Sequence, residues 1–252
     1  DESQWERDFK QMHDLGFEYE ELTSTNDEAL ALTAAAGGEK LAVTAERQTG
    51  GRGRRGRGWG SLEGNLFMSL ALPFAAEKSA ALVLISSLSL LEAVKEFDQN
   101  AGVKLKWPND VLLDGGKISG ILLEKGAGGY MIVGIGVNLR ASPAGETVYP
   151  VTDLAAAGIK TDCRTFKEVY LRRFDALTDL WEQKGMPALT EKWLRHARGL
   201  GEPIVVRLPK TTKTGIFAGM NEEGMLILQT PSGREVIGAG DVFFDDESKR
   251  EE

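Results

Sequence analysis

Arginine set in glycine is the most chemically loaded stretch of this chain: Gly50-Gly51-Arg52-Gly53-Arg54-Arg55-Gly56-Arg57-Gly58-Trp59. Glycine lets backbone N–H groups approach an oxyanion closely, and a guanidinium grips phosphate or carboxylate through two parallel hydrogen bonds. The stretch is no Walker A loop, since no Gly-Lys-Ser/Thr is present and it leads into a strand instead of a helix. A disordered arginine–glycine tract for nucleic acid is the bland alternative, but the segment is short and lies between two strand patterns. A second candidate is Lys106-Trp107-Pro108-Asn109-Asp110 followed by Lys117-Ile118-Ser119-Gly120-Ile121-Leu122. A lone Lys-Trp would be only a strand end with a solvated charge. Here Asp110 and Lys117 flank a hairpin, so their heads can lie close across it. The third is Val133-Gly134-Ile135-Gly136-Val137-Asn138, an apolar strand whose glycines permit close approach and whose end carries one amide. By itself such a Gly-x-Gly more often accommodates packing than a ligand.

The elements that must position these residues follow from periodicity. Residues 5–15 read as a short helix and 17–22 as a strand. A helix capped by Thr25 or Asn26 covers 27–36 and stops at Gly37-Gly38. A buried strand at 41–45 feeds the arginine loop, and a strand at 65–72 leaves it. The helix at 80–97 is apolar on most faces and therefore central. Strands at 103–107, 111–113, 118–124 and 130–138 come next, with a turn at Asp114-Gly115-Gly116, then helices at 166–183 and 186–198. Strand pairs with interposed helices point to an α+β domain spanning 1–198. After Gly199-Leu200-Gly201 the composition shifts to short strands at 203–208, 212–220, 225–229 and 234–238, a small β-barrel within 199–252 that ends in a charged tail from 245.

Composition limits the class. The 252 residues carry a net charge of −8, which opposes general affinity for nucleic acid. With Arg47, Arg52, Arg54, Arg55 and Arg57 crowded together, that charge suits a compact anionic ligand better than a long polyanion. No apolar run approaches a membrane span, no signal-peptide pattern stands at the start, and Cys163 is alone, so neither a disulfide framework nor a cysteine metal site is expected. The expected setting is cytoplasmic. His13 and His196 read as surface or helix residues, and Trp181 and Trp193 as helix packing.

Taken in order, Ser24-Thr25-Asn26, Gln48, the Gly51–Arg57 loop, Lys-Trp-Pro-Asn-Asp, Lys-Ile-Ser-Gly-Ile-Leu and Gly-Ile-Gly-Val-Asn resemble the biotin protein ligase family, from about Leu22 to Phe244. The resemblance implies a mixed sheet flanked by helices, similar to class II aminoacyl-tRNA synthetases, followed by an SH3-like barrel. It implies biotin and ATP as substrates with Mg²⁺ assisting, formation of biotinyl-5'-AMP, and transfer to a lysine of a biotin carboxyl carrier domain. Ser24, Thr25, Asn26 and Gln48 would recognise the uncharged ureido ring through neutral donors and acceptors, with Arg52, Gly53, Arg54, Lys117 and Gly120 completing the biotin site. ATP and adenylate would meet Arg52, Arg54, Arg55, Arg57, Trp59, Lys106, Asn109 and Asn138, with Trp59 as a stacking face for adenine and Asn138 at its edge. Lys117, Arg54 and Asp110 would act at the reacting centre, Asp110 also as a metal ligand. A lipoate-type carboxylate ligase shares the implied fold and remains a rival. A DNA-binding biotin-responsive repressor is a rival of another class, although only about twenty residues precede Ser24-Thr25-Asn26. A homodimer is allowed; no membrane and no specific nucleic acid are expected as partners. The loop, rich in glycine and in mutually repelling arginines, is expected to be mobile until ligands supply anions.

Overall fold

The computed structural model describes residues 16–143 and 149–244, so the expected helix at 5–15, His13 and the tail from 245 lie outside the described residues. Strands β1 (Gly16–Leu22), β2 (Leu41–Gln48), β3 (Leu66–Pro73), β4 (Val103–Lys106), β5 (Asp110–Leu113), β6 (Gly116–Lys125) and β7 (Tyr130–Val137) form one seven-stranded sheet. Its order is β1-β2-β3-β7-β6-β5-β4; β1 runs parallel to β2 and the other pairs are antiparallel. The mixed sheet with helices agrees with the α+β expectation.

Alternation along β3 and β7 decides which face is which. Leu66, Met68, Leu70 and Leu72 point to the main core, as do Met131, Val133, Ile135 and Val137. There they meet helix α2 (Ser79–Phe97), whose buried residues run from Ala81 to Val94, and behind it α3 (Cys163–Lys184) and α4 (Met186–Leu194). Trp193 is fully buried with Nε1 donating to Ser87 Oγ, and Trp181 packs on Phe74 with ring centroids 5.2 Å apart, as helix-packing residues should. The opposite residues, Ser69 and Ala71 on β3 and Gly134 and Gly136 on β7, face the short helix α1 (Thr25–Leu32) and the open side of the sheet. Ser24, not Thr25 or Asn26, is the N-cap of α1, its Oγ accepting from Asp27 N.

The second sheet is antiparallel, in the order β11-β10-β9-β8-β12, with β8 (Pro203–Arg207), β9 (Thr212–Met220), β10 (Leu226–Thr230), β11 (Gly233–Ile237) and β12 (Asp241–Phe244). It suits an SH3-like unit, but β11 and β12 are its two free edges among the described residues, so the expected barrel is corrected to an open antiparallel sheet. Strand β12 also goes beyond the four strands that the sequence pattern marked. The core does not stop at this junction: Ile204, Val206, Phe217, Leu226, Leu228 and Phe244 belong to the same apolar cluster as α2 and β3. Leu105 of β4 stitches the two parts, accepting from Arg198 N at 2.8 Å and donating its own N–H to His196 O at 2.9 Å. Among the described residues no helix is long and apolar enough to cross a membrane.

Candidate functional site

A cavity of about 350 Å³ opens on the α1 side of the large sheet and is roofed by the arginine loop and by β12. Every site residue expected from the sequence lines it except Arg55. The size suits a ligand of drug-like dimensions. The arginine loop above it is a hydrogen-bonded hairpin. Gly53 N donates to Arg57 O at 2.6 Å, Trp59 N donates to Gly51 O at 2.9 Å, and a single 3₁₀ turn, Arg54–Gly56, closes the tip. Arg55 takes the left-handed conformation there (φ 57°), and its guanidinium reaches Asp241 at 2.8 Å without lining the cavity itself.

One end of the cavity presents neutral hydrogen-bonding groups beside one arginine whose charge is taken up by carboxylates. Gln48 Oε1 accepts from Thr25 N at 2.8 Å and from Thr25 Oγ1 at 3.1 Å, which leaves its Nε2 as the donor on the cavity side. Ser69, wholly buried on β3, lies 2.7 Å from Thr25 Oγ1 and donates to Asn26 Oδ1 at 2.5 Å. Asn26 Nδ2 donates to Glu124 at 2.6 Å. A side chain at Gly134 would overlap Asn26, which is the physical reason for that glycine. Arg52 sits at this end, and its guanidinium is taken up by Asp27 (2.7 and 2.9 Å) and Glu124 (3.0 and 3.2 Å). Its hydrogen bonds to Asp27, with Glu124 adding to them, hold Arg52 well above its ordinary pKa, and Arg52 in turn holds the Asp27 carboxyl below the usual range.

The other end is cationic. Lys117 Nζ lies 2.9 Å from Asp110 Oδ1, so the two heads do meet across the β5–β6 hairpin, where a bulge at Val111/Leu112 shifts the register. Arg54 donates to Asn109 Oδ1 at 3.2 Å and to the Gly240 carbonyl at 3.2 and 3.3 Å. Burial pulls its guanidinium below the ordinary value, against Asp241 and Asp110, which favour the charge. Asp241, at the start of β12, gathers Arg55 (2.8 Å), Arg57 (3.2 Å) and Arg54 (3.6 Å). Burial alone would lower Arg57; Asp241 and Tyr149 outweigh it and raise it. Lys106 is almost fully buried and points its ammonium at the face of Tyr149, 3.6 Å from the centroid, with Phe243 and Phe244 nearby. Burial pushes the Tyr149 hydroxyl up to about 12.

Between the two ends lies Trp59. Its ring rests over Gly136 and Gly120, where side chains would collide with it, and the Lys117 ammonium sits 5.4 Å from its centroid. The Trp59 Nε1–H is buried and has no acceptor among the described residues. Both glycines of Gly-x-Gly are therefore packing accommodations, but each accommodates a residue of the site. Asn138 lines the cavity with its amide partly committed, Nδ2 donating to Thr152 O at 3.1 Å. As for metal, no group of three or more His, Cys, Asp and Glu side chains gathers among the described residues. Asp110 is a lone carboxylate beside Lys117, a donor set that fits an ion arriving mainly on phosphate oxygens.

Five contributors escaped the sequence reading: Asp27, Ser69, Glu124, Tyr149 and Asp241. Each is far in sequence from the group it serves, and none stands in a motif. An acid at the head of the short run Asp241-Val242-Phe243-Phe244 was the only available hint, and it is a weak one. The carboxylates are shared unevenly along the loop: Arg52 has both Asp27 and Glu124, while Arg54, Arg55 and Arg57 share Asp241.

Residues 19–138 match the model of the biotin/lipoate A/B protein ligase family, and residues 199–245 match the biotin protein ligase C-terminal domain. A biotin–[acetyl-CoA-carboxylase] ligase of Paracoccus denitrificans is 38% identical, over 88% of this chain and 97% of the relative. A bifunctional ligase/repressor of Bacillus subtilis is 32% identical over 88% of this chain and 71% of that protein. Among solved structures, the biotin protein ligase from Aquifex aeolicus in complex with biotin and ATP superposes with a TM-score of 0.79 at 29% identity, covering 90% of this chain and 97% of the other.

Proposed function

The chain belongs to the biotin/lipoate A/B protein ligase family, within it to the ATP-dependent biotin protein ligases, and from that premise we propose how its residues divide the work. The observation that carries the reading is the polarity of one cavity: neutral amide and hydroxyl groups at the Thr25–Gln48 end, fixed cations at the Arg54–Lys117 end. Biotin has the same polarity, with an uncharged ureido ring at one end and a carboxylate at the other. Its ring would lie against Ser24, Thr25, Asn26 and Gln48, and its carboxylate would reach Lys117 and Arg54. The triphosphate of ATP would lie toward Arg54, Arg55, Arg57, Lys106 and Asn109, its adenine against Trp59 and Asn138.

In the first step a biotin carboxylate oxygen attacks the α-phosphorus and the bond to the bridging oxygen breaks, releasing pyrophosphate. Two anions must meet, and Coulomb repulsion grows several-fold as the site is desolvated. Lys117 and Arg54 therefore lie between the partners, where charge concentrates in the transition state. Asp110 keeps the Lys117 ammonium oriented, and when a phosphate-borne Mg²⁺ is present it would hold that ion, which withdraws further charge from the phosphates. In the second step a carrier lysine amine attacks the acyl carbonyl, losing a proton as AMP departs. The acceptor is the biotin carboxyl carrier domain of a carboxylase. On the net charge of −8 we expect no sequence-specific duplex binding.

Mixing the protein with biotin, ATP, Mg²⁺ and a carrier domain should add one biotinyl mass to the carrier lysine. Lipoate in place of biotin should give no pyrophosphate exchange. Exchange with lipoate and none with biotin would overturn the reading.

A further inference from the structure

The reaction outlined above uses neither Asp27 nor Glu124, yet both hold Arg52 at the neutral end of the cavity. Arg52 contributes one positive charge and the two carboxylates two negative ones, so the trio is net −1. Such a group does not attract a carboxylate or a phosphate. What it does is mechanical. Asp27 stands in the first turn of α1 and Glu124 near the end of β6, so Arg52 ties the loop to the helix on one side and to the sheet on the other. Glu124 reaches further, since the same carboxylate that accepts from Arg52 accepts from Asn26 Nδ2 at 2.6 Å. Asn26 is thereby fixed on both sides, with Ser69 donating to its Oδ1 and Gly134 leaving room beneath. One acid thus sets both a loop residue and a residue of the recognition end.

We infer that Asp27 and Glu124 are positioning residues that latch the base of the arginine loop through Arg52 and aim Asn26, so that the recognition end is closed over an uncharged ring. The inference rests on the biotin reading above and assigns Arg52 a structural part in it, in place of a contact to the ligand's carboxylate. A planar guanidinium suits the task because one head spans two carboxylates, which a lysine ammonium cannot do with the same geometry.

Steady-state pyrophosphate exchange with each substrate varied in turn tests this. Glu124→Gln should raise KM for biotin about tenfold, with KM for ATP and kcat changed less than about threefold, because the bonds to Arg52 and to Asn26 lose their charge assistance together. Asp27→Asn should act in the same direction and more weakly, since its side chain is 47% exposed. Arg52→Lys should not restore the wild-type value. The double variant Arg52→Ala/Glu124→Gln should be worse than Arg52→Ala by less than the full Glu124→Gln effect, since the two share the latch and only the bond to Asn26 is added. Should Glu124→Gln fold poorly, Asp27→Asn carries the same test. A biotin KM unchanged in both variants, or equal rises for biotin and ATP, would overturn the latch. Absence of biotin-dependent exchange in the wild-type protein would instead overturn the functional reading on which it rests.

Discussion

The two limbs of the arginine loop are built on opposite charge ratios. At Arg52 two carboxylates share one guanidinium; around Asp241 three guanidiniums share one carboxylate. The first limb is saturated with anion, and the second is short of it by two charges. Like charges about 4 Å apart repel by roughly 4 kcal/mol at an effective dielectric near 20, so an excess of two in a half-buried cluster is a standing demand for phosphate. The sequence shows four arginines in one stretch; the fold gives one of them two carboxylates and leaves the other three to share one.

The comparison breaks most visibly where chemistry is concentrated. Lys117→Ala should cost about 10²–10³ in pyrophosphate exchange, the range expected for loss of a single donor at a developing charge. Far-ultraviolet dichroism should be unchanged. A folded variant with near-normal exchange would remove Lys117 from the reacting centre. Lys117→Arg should also be poor, because a planar fork cannot replace a point charge without shifting the reacting atoms.

Next in size is a matched pair within one strand. Gly134→Ala pushes on Asn26 and Gly136→Ala pushes on Trp59, two residues apart on the same face of β7. Overpacking costs about 1–3 kcal/mol, roughly a 5- to 150-fold loss where it falls on affinity. The first should appear in KM for biotin and the second in KM for ATP. Equal effects on both substrates would mean that the cavity is not divided as described.

How much of this was legible beforehand depended on sequence distance. The Asp110–Lys117 pair was, because one hairpin delivers both, and so was the neutral set from Ser24 to Gln48, because its residue types match an uncharged ring. The partners of the arginines were not. Asp27 reads as an ordinary first-turn acid of α1, and Glu124 as the polar end of a strand. Asp241 meets the loop only because the small sheet folds back on it, with |i−j| of 186 to Arg55. The role of Gly136 was hidden for a related reason: it is defined by the bulk of Trp59, which only the tertiary fold places there. Local pattern fixed the strands of both sheets except β12, whose four residues are too short to alternate convincingly.

A milder intervention is Asp241→Asn. Three guanidiniums would then repel one another without their common partner, so hydrogen exchange at residues 54–59 should rise. KM for ATP should rise by about 3- to 10-fold, the scale of 1 kcal/mol or so for ordering side chains that Asp241 no longer holds in place. KM for biotin should stay within twofold, about the scatter of a distant, uncoupled site.

Smallest of all is the response to acid at the Arg52 limb. The Asp27 carboxyl is depressed in the folded protein, chiefly by its hydrogen bonds to Arg52. A depressed acid contributes stability above its unfolded value, near pH 4, and loses that contribution only as pH falls through the folded value. The limb should therefore stay fastened from pH 9 down to about pH 5, and KM for biotin should be flat over that interval. A break near neutral pH would point to a different titrating group at this end.

Leu105 leaves the small sheet little freedom to swivel. It is bonded on both sides to the segment that enters that sheet, and Trp107 two residues on donates its indole N–H to the Gly224 carbonyl at 3.2 Å. Rotating one part of the chain about the junction would break these bonds and expose an apolar cluster that both parts fill. Any change in the shape of the cavity would then be local to the arginine loop and its ion pairs with Asp27, Glu124 and Asp241.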